Sequence, residues 1–119
     1  MALTTKLNSK RPQHRELQHV YNAITDGNAA ALVSGVAGKR ILIWRFHGVA
    51  AVKDKNCALL SGANSFPSLY ATESMLCHHL MSGDGIPIYT CNVGENFNAD
   101  PSDTTNWYFY AVYSIEDED

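Results

Sequence analysis

Residues 61–119 contain no lysine and no arginine. All nine basic residues (Lys6, Lys10, Arg11, Arg15, Lys39, Arg40, Arg45, Lys53 and Lys55) fall in the first 60 positions, opposed only by Glu16, Asp26 and Asp54. The first half therefore carries a net +6 and the second, with nine acids, −9. Such a division gives a small chain basic and acidic ends that meet different surfaces, unless the fold interleaves the halves. Long apolar runs are also missing. Nothing approaches the roughly 18–20 continuous residues of a membrane helix, and the polar, basic start has no signal-peptide core. A soluble product without a membrane partner is expected. Cysteine is scarce and odd in number (Cys57, Cys77, Cys91), with no CxxC spacing, so free buried thiols are expected in place of a disulfide framework. A pI near 5.9 with dispersed cations argues against nucleic acid as a partner.

What remains is an ordinary core-forming composition. The 119 residues are 45% hydrophobic, enough for one domain that needs no metal or disulfide staple. Residues 1–16 lack hydrophobic periodicity and carry four cations and Pro12, which reads as an extended basic arm. Residues 17–115 read as short strands separated by turn signals at Asp26-Gly27-Asn28, Ser61-Gly62, Ser82-Gly83-Asp84-Gly85 and Asp100-Pro101-Ser102-Asp103. The strongest runs are 39–52, rich in Ile, Val, Trp and Phe, and 106–115, with the sequence NWYFYAVYSI. Simple alternation puts Ile41 and Ile43 on one face of the first run and Leu42, Trp44 and Phe46 on the other. In the last run it sets Trp107, Phe109, Ala111 and Tyr113 against Tyr108, Tyr110 and Val112. Residues 116–119 read as a short acidic tail. The predicted fold class is all-β: a single antiparallel β-sandwich or jelly-roll-like domain with an extended N-terminal arm.

Signs of catalysis are sparse. The stretch Gly35-Val36-Ala37-Gly38-Lys39-Arg40 has a phosphate loop's composition but not its mechanics. Its second glycine comes too early, Arg40 stands where a hydroxyl would hold magnesium, and a strand follows where a helix N-terminus is needed. Cys77-His78-His79 has no second ligand pair at zinc spacing, and on a strand His78 faces away from its neighbours, so neither metal nor cofactor is expected. Glu73, Asp84 and Glu95 supply carboxylates, but nothing in their spacing pairs them for glycoside cleavage. A binding or structural protein is expected, not an enzyme. Two features point to contact: the arm cations Lys6, Lys10, Arg11 and Arg15, suited to an acidic partner, and the aromatic strands. Tyrosine and tryptophan bury area while keeping a polar handle, which makes Trp44, Phe46, Trp107 and Tyr110 the candidate subunit-interface anchors. A sugar-stacking platform built from Trp44, Trp107 and the tyrosines is the alternative.

One resemblance goes further. Asp26-Gly27-Asn28, Ala31-Leu32-Val33 and Val36-Ala37-Gly38-Lys39-Arg40-Ile41-Leu42-Ile43 resemble the opening of a β-sandwich module found in virion proteins of tailed bacteriophages. There a G-N-x-x-x-L stretch leads into V-A-G-K-R-I and a hydrophobic strand. The module's later pieces correspond to Ser61-Gly62, Ile86-Pro87-Ile88, Gly94-Glu95-Asn96-Phe97-Asn98 and Trp107 through Tyr113, so that the resemblance covers roughly residues 24–114. It implies a bacteriophage structural protein: a capsid cement, or decoration, protein on the outer surface of the viral capsid, made in the host cytoplasm. Its partners would be the major capsid protein and its own copies in a homotrimer, with the arm reaching across adjacent capsid subunits. The alternative is a tail-fibre or baseplate tip module that binds host surface glycan through aromatic residues.

Overall fold

The computed structural model describes residues 16–25, 28–66, 69–71, 77–81, 85–101 and 106–117, and no helix occurs among them. Ten strands follow one another among the described residues. They are β1 (Gln18–Ile24), β2 (Ala30–Val33), β3 (Lys39–Ala50), β4 (Lys55–Ser61), β5 (Asn64–Ser65), β6 (Leu69–Ala71), β7 (Cys77–Met81), β8 (Tyr89–Thr90), β9 (Phe97–Pro101) and β10 (Trp107–Asp117). Two antiparallel sheets pack together as a β-sandwich, as the strand pattern predicts. The first sheet has the order β1-β10-β3-β7, with β8 on the same side of β3 as β7 but further toward its start. The second has the order β2-β9-β4-β5, with β6 also paired to β4. The first and last strands are therefore partners, through a register that sets Tyr21 opposite Tyr110 and Ile24 opposite Trp107.

Simple alternation fails in the middle of β3. Arg45 pairs with Val112 and Ile43 with Tyr113, so Trp44 is an extra residue in a β-bulge. The bulge shifts the side-chain phase by one position. Ile41 and Ile43 before it and Phe46 and Ala50 after it all join the same inter-sheet cluster. Phe46 thus faces the interior with the isoleucines, contrary to the expectation from period 2. Trp44 is buried outside that cluster, where its indole Nε1 donates to Ser114 Oγ at 2.9 Å and Ser114 Oγ donates to Glu116 Oε2 at 2.9 Å.

The core between the sheets is aromatic. Phe46 meets Phe97 edge-on at 5.8 Å, Phe66 stacks on Tyr89 at 4.6 Å, and Trp107 stacks on Phe109 at 6.0 Å. Gly48 makes room for the opposing sheet, since a Cβ there would lie 2.6 Å from Leu69 Cδ1. Cys57 and Cys91 are fully buried free thiols, and burial pushes their pKa up to about 12 and about 11, keeping both protonated.

Three boundaries differ from the sequence reading. Residues 31–37 read from sequence as one segment running up to Gly38, but β2 stops at Val33, because residues 36–39 close a turn in which Lys39 N–H donates to the Val36 carbonyl at 3.0 Å and Gly38 takes φ 76°. Asp100 and Pro101 extend β9, pairing opposite Ala58 and Cys57, where a turn was expected. Glu116 and Asp117 are not a free tail but the end of β10, opposite Arg40 and Lys39. The basic start of β3 therefore lies along the acidic end of β10, and Lys39 Nζ sits 3.1 Å from Asp117 Oδ1. Both side chains are solvent-exposed, so this ion pair adds little stability. It does show that the fold interleaves the two oppositely charged halves along this edge.

Candidate functional site

The outward face of the first sheet carries an open trough. Register places Tyr21, Tyr110 and His47 in one row across β1, β10 and β3, with His79 of β7 next in the same row. Ala23, Tyr108 and Val49 make the adjacent row on one side, and His19, Val112 and Arg45 the row on the other. Tyr21, Arg45, His47, Val49, Tyr108 and Tyr110 surround a concavity of about 400 Å³. Tyr110 organises its floor. The Tyr110 hydroxyl is hydrogen-bonded to His19 Nδ1, its ring lies 4.7 Å from that of Tyr21, and the His47 ring meets it edge-on at 5.5 Å. Around this ordered centre Tyr21 is 81% exposed and Tyr108 43% exposed. Two exposed tyrosines thus flank an ordered aromatic floor on this face.

A second polar assembly closes one end of the sandwich. Ser61 Oγ donates to Glu95 Oε1 at 2.7 Å and accepts from the Asn92 N–H at 2.8 Å, while Asn92 Nδ2 donates to the same carboxylate oxygen at 2.9 Å. Gly62 N–H donates to the Asn96 carbonyl, Asn98 Nδ2 to the Gly62 carbonyl, and Gly94 N–H to the Lys39 carbonyl. Gly35 N–H donates to Asn96 Oδ1 at 2.6 Å. The sequence segments 35–39, 61–62 and 92–98 are thus tied into one structural lock.

The Ser61 hydroxyl, and after it the Asn92 amide, hold the Glu95 carboxyl below the usual glutamate range. A carboxylate saturated with donors in this way anchors a turn and is a poor proton acceptor. Because its folded-state pKa is lowered, the stability it contributes is present above the ordinary glutamate pKa and is lost as pH falls through the folded value. Thermal melts of wild type and Glu95→Gln across pH 2–7 should differ most near neutrality and converge on acidification. A gap that is constant with pH would contradict this role.

The residues singled out from sequence fare differently. Lys6, Lys10, Arg11 and Arg15 lie outside the described residues, as do Glu73 and Asp84. Phe46 and Trp107 are fully buried between the sheets and Trp44 is 3% exposed, so none of the three presents a surface to another subunit in the folded protomer. For Phe46 the cause is the bulge; for Trp107 it is the inward phase of β10. The same burial removes Trp44 and Trp107 from any sugar-stacking platform. Tyr110, half-buried in the trough floor, is the one aromatic candidate of the four that reaches the outer surface. Arg45 and His47 carried no signal in the sequence, while Tyr21 and Tyr108 entered only among the tyrosines of the sugar-stacking alternative. Alternation within 18–24 puts Tyr21 and His19 on one side, but what brings them beside Tyr110 is a strand pairing across about 90 residues of chain. No family model, curated protein or solved structure matches the chain.

Proposed function

We propose that this chain is a structural protein of a tailed-bacteriophage virion, a capsid cement protein that binds the outside of the head and reinforces it. The observation that carries the reading is the lock at the end of the sandwich. The pieces that resemble the virion module (Val36 to Arg40, Ser61-Gly62 and Gly94 to Asn98) are scattered in sequence yet bonded to one another in space. Their contact is the support for reading them as parts of one folded unit. The basic arm supplies the shell contact in this reading, and several arms on one homotrimer would raise avidity by effective concentration.

The test is co-sedimentation with mature, tail-free heads lacking the protein, over a salt series. Saturable binding at a fixed ratio to the major capsid protein is expected. The triple variant Lys10→Glu, Arg11→Glu, Arg15→Glu should weaken it about 10-fold or more at low salt while leaving the melting temperature unchanged. Absence of binding by the wild type would overturn the cement reading, and equal binding by the variant would remove the arm from it.

A second reading is favoured by a separate observation, the tyrosine trough. It makes the protein a tail-fibre or baseplate tip module that recognises a host surface glycan, with Tyr21, Tyr108 and Tyr110 in place of the buried tryptophans.

A further inference from the structure

We infer that the trough on the first sheet is a binding site for an acidic saccharide, a sugar unit bearing a carboxylate, stacked on Tyr21 and held by Arg45. The inference rests on the glycan reading just given and narrows it to a substrate class.

Size comes first. A concavity of about 400 Å³ lies within the range of small-ligand sites. A ring-sized ligand is therefore favoured over a flat protein epitope. Chemistry of the walls comes next. The exposed ring of Tyr21, the ring of Tyr108 and the side chain of Val49 offer apolar faces of the kind that pack against the C–H face of a pyranose. The phenol hydroxyls of the exposed Tyr21 and Tyr108 add donors and acceptors beside these faces.

Charge then separates acidic from neutral sugars. Arg45 is exposed at the trough, on the same face of β3 as His47, and among the described residues none that lines the trough is acidic. A guanidinium presents a planar fork of donors that matches a carboxylate in two parallel hydrogen bonds. A neutral sugar offers this cation hydroxyl acceptors but not the opposite charge that strengthens the bond. Finally, the floor is already ordered in the free protein by the contacts of Tyr110 with His19, Tyr21 and His47, so little side-chain freedom is lost on binding.

Titration calorimetry with a hexuronic acid trisaccharide and a neutral hexose trisaccharide of the same linkage tests this on the full chain. The acidic ligand should bind about 10-fold or more tightly than the neutral one, with affinity falling as salt rises. Arg45→Gln should abolish that preference and Tyr21→Ala should weaken both ligands, whereas Tyr21→Phe, which keeps the ring, should retain binding. Both positions are exposed, and unchanged melting temperatures will show that the fold is intact. Equal affinity for the two trisaccharides would overturn the acidic preference and leave the glycan reading standing. Failure of both to bind at millimolar concentration would overturn the two together. Binding insensitive to Arg45→Gln and Tyr21→Ala would overturn the assignment of the trough.

Discussion

Phe46→Ala is expected to lower the unfolding free energy by about 3–5 kcal/mol, the usual cost of deleting a buried aromatic ring. Phe46 is fully buried, edge-on to Phe97 at 5.8 Å and 5.9 Å from Phe109. Its nearest neighbours cannot close the cavity cheaply. Gly48 and Ala111 have almost no side chain to move, and Leu69 already reaches across from the second sheet to the Gly48 backbone. For a domain of this size the loss is a large fraction of the total stability, and the melting temperature should fall by on the order of 10–20 °C. Chemical denaturation at several protein concentrations measures it. A core role predicts the same loss at every concentration. A subunit-contact role predicts a shift in oligomeric state with the protomer's own stability nearly intact, and that result would contradict the position of Phe46 in the core.

Gly35→Ala should be the second costly change, for lack of space and not of backbone freedom. An added Cβ would lie 2.4 Å from the Gly94 carbonyl oxygen and 2.8 Å from the Glu95 carbonyl carbon, both backbone atoms that cannot swing aside. Relieving the clash means separating the segment after β2 from the 92–98 loop. That costs about 1–3 kcal/mol as overpacking, and the Gly35 N–H bond to Asn96 Oδ1 would be lost with it at about 1 kcal/mol more. Asn96→Ala removes the bond without the clash and should cost only that smaller part. Denaturant midpoints for the two variants check the ordering, and a Gly35→Ala effect no larger than that of Asn96→Ala would show that the loop yields easily. Gly62 makes a useful contrast. The atom nearest its added Cβ is an oxygen of the Glu95 carboxylate that Ser61 and Asn92 hold, so a side-chain clash there adds to the strain of its φ of 57°.

Much of the local structure was legible in the residues. β-branched and aromatic runs punctuated by Gly, Asp, Asn and Ser mark most strands to within a few positions, because strand preference and turn chemistry act over two to four neighbours. The grouping of Trp107, Phe109 and Ala111 on one face of β10 follows from period 2 alone, but which of its two aromatic faces turns to the core does not. The same rule misassigns Phe46. In β3 both faces are apolar, with Leu42 and Trp44 as hydrophobic as Ile41 and Ile43, so the pattern holds no record of the residue at which the phase slips. The bulge at Trp44 is fixed by the pairing with β10 and by the bond from its indole to Ser114, 70 positions away.

The sequence by itself determined that this chain is all-β, where most of its strands begin and end, and that its charges divide between its two halves. Those properties depend on neighbours in the chain and on composition. Only the tertiary structure decided which aromatics are core and which are surface. It buried Trp107 and Phe46, brought Tyr21 and Tyr110 together from opposite ends of the chain, and laid the acidic end of β10 along the basic start of β3. The reason is that a sheet face is assembled from strands distant in sequence, and its register is set by hydrogen bonds and packing between them.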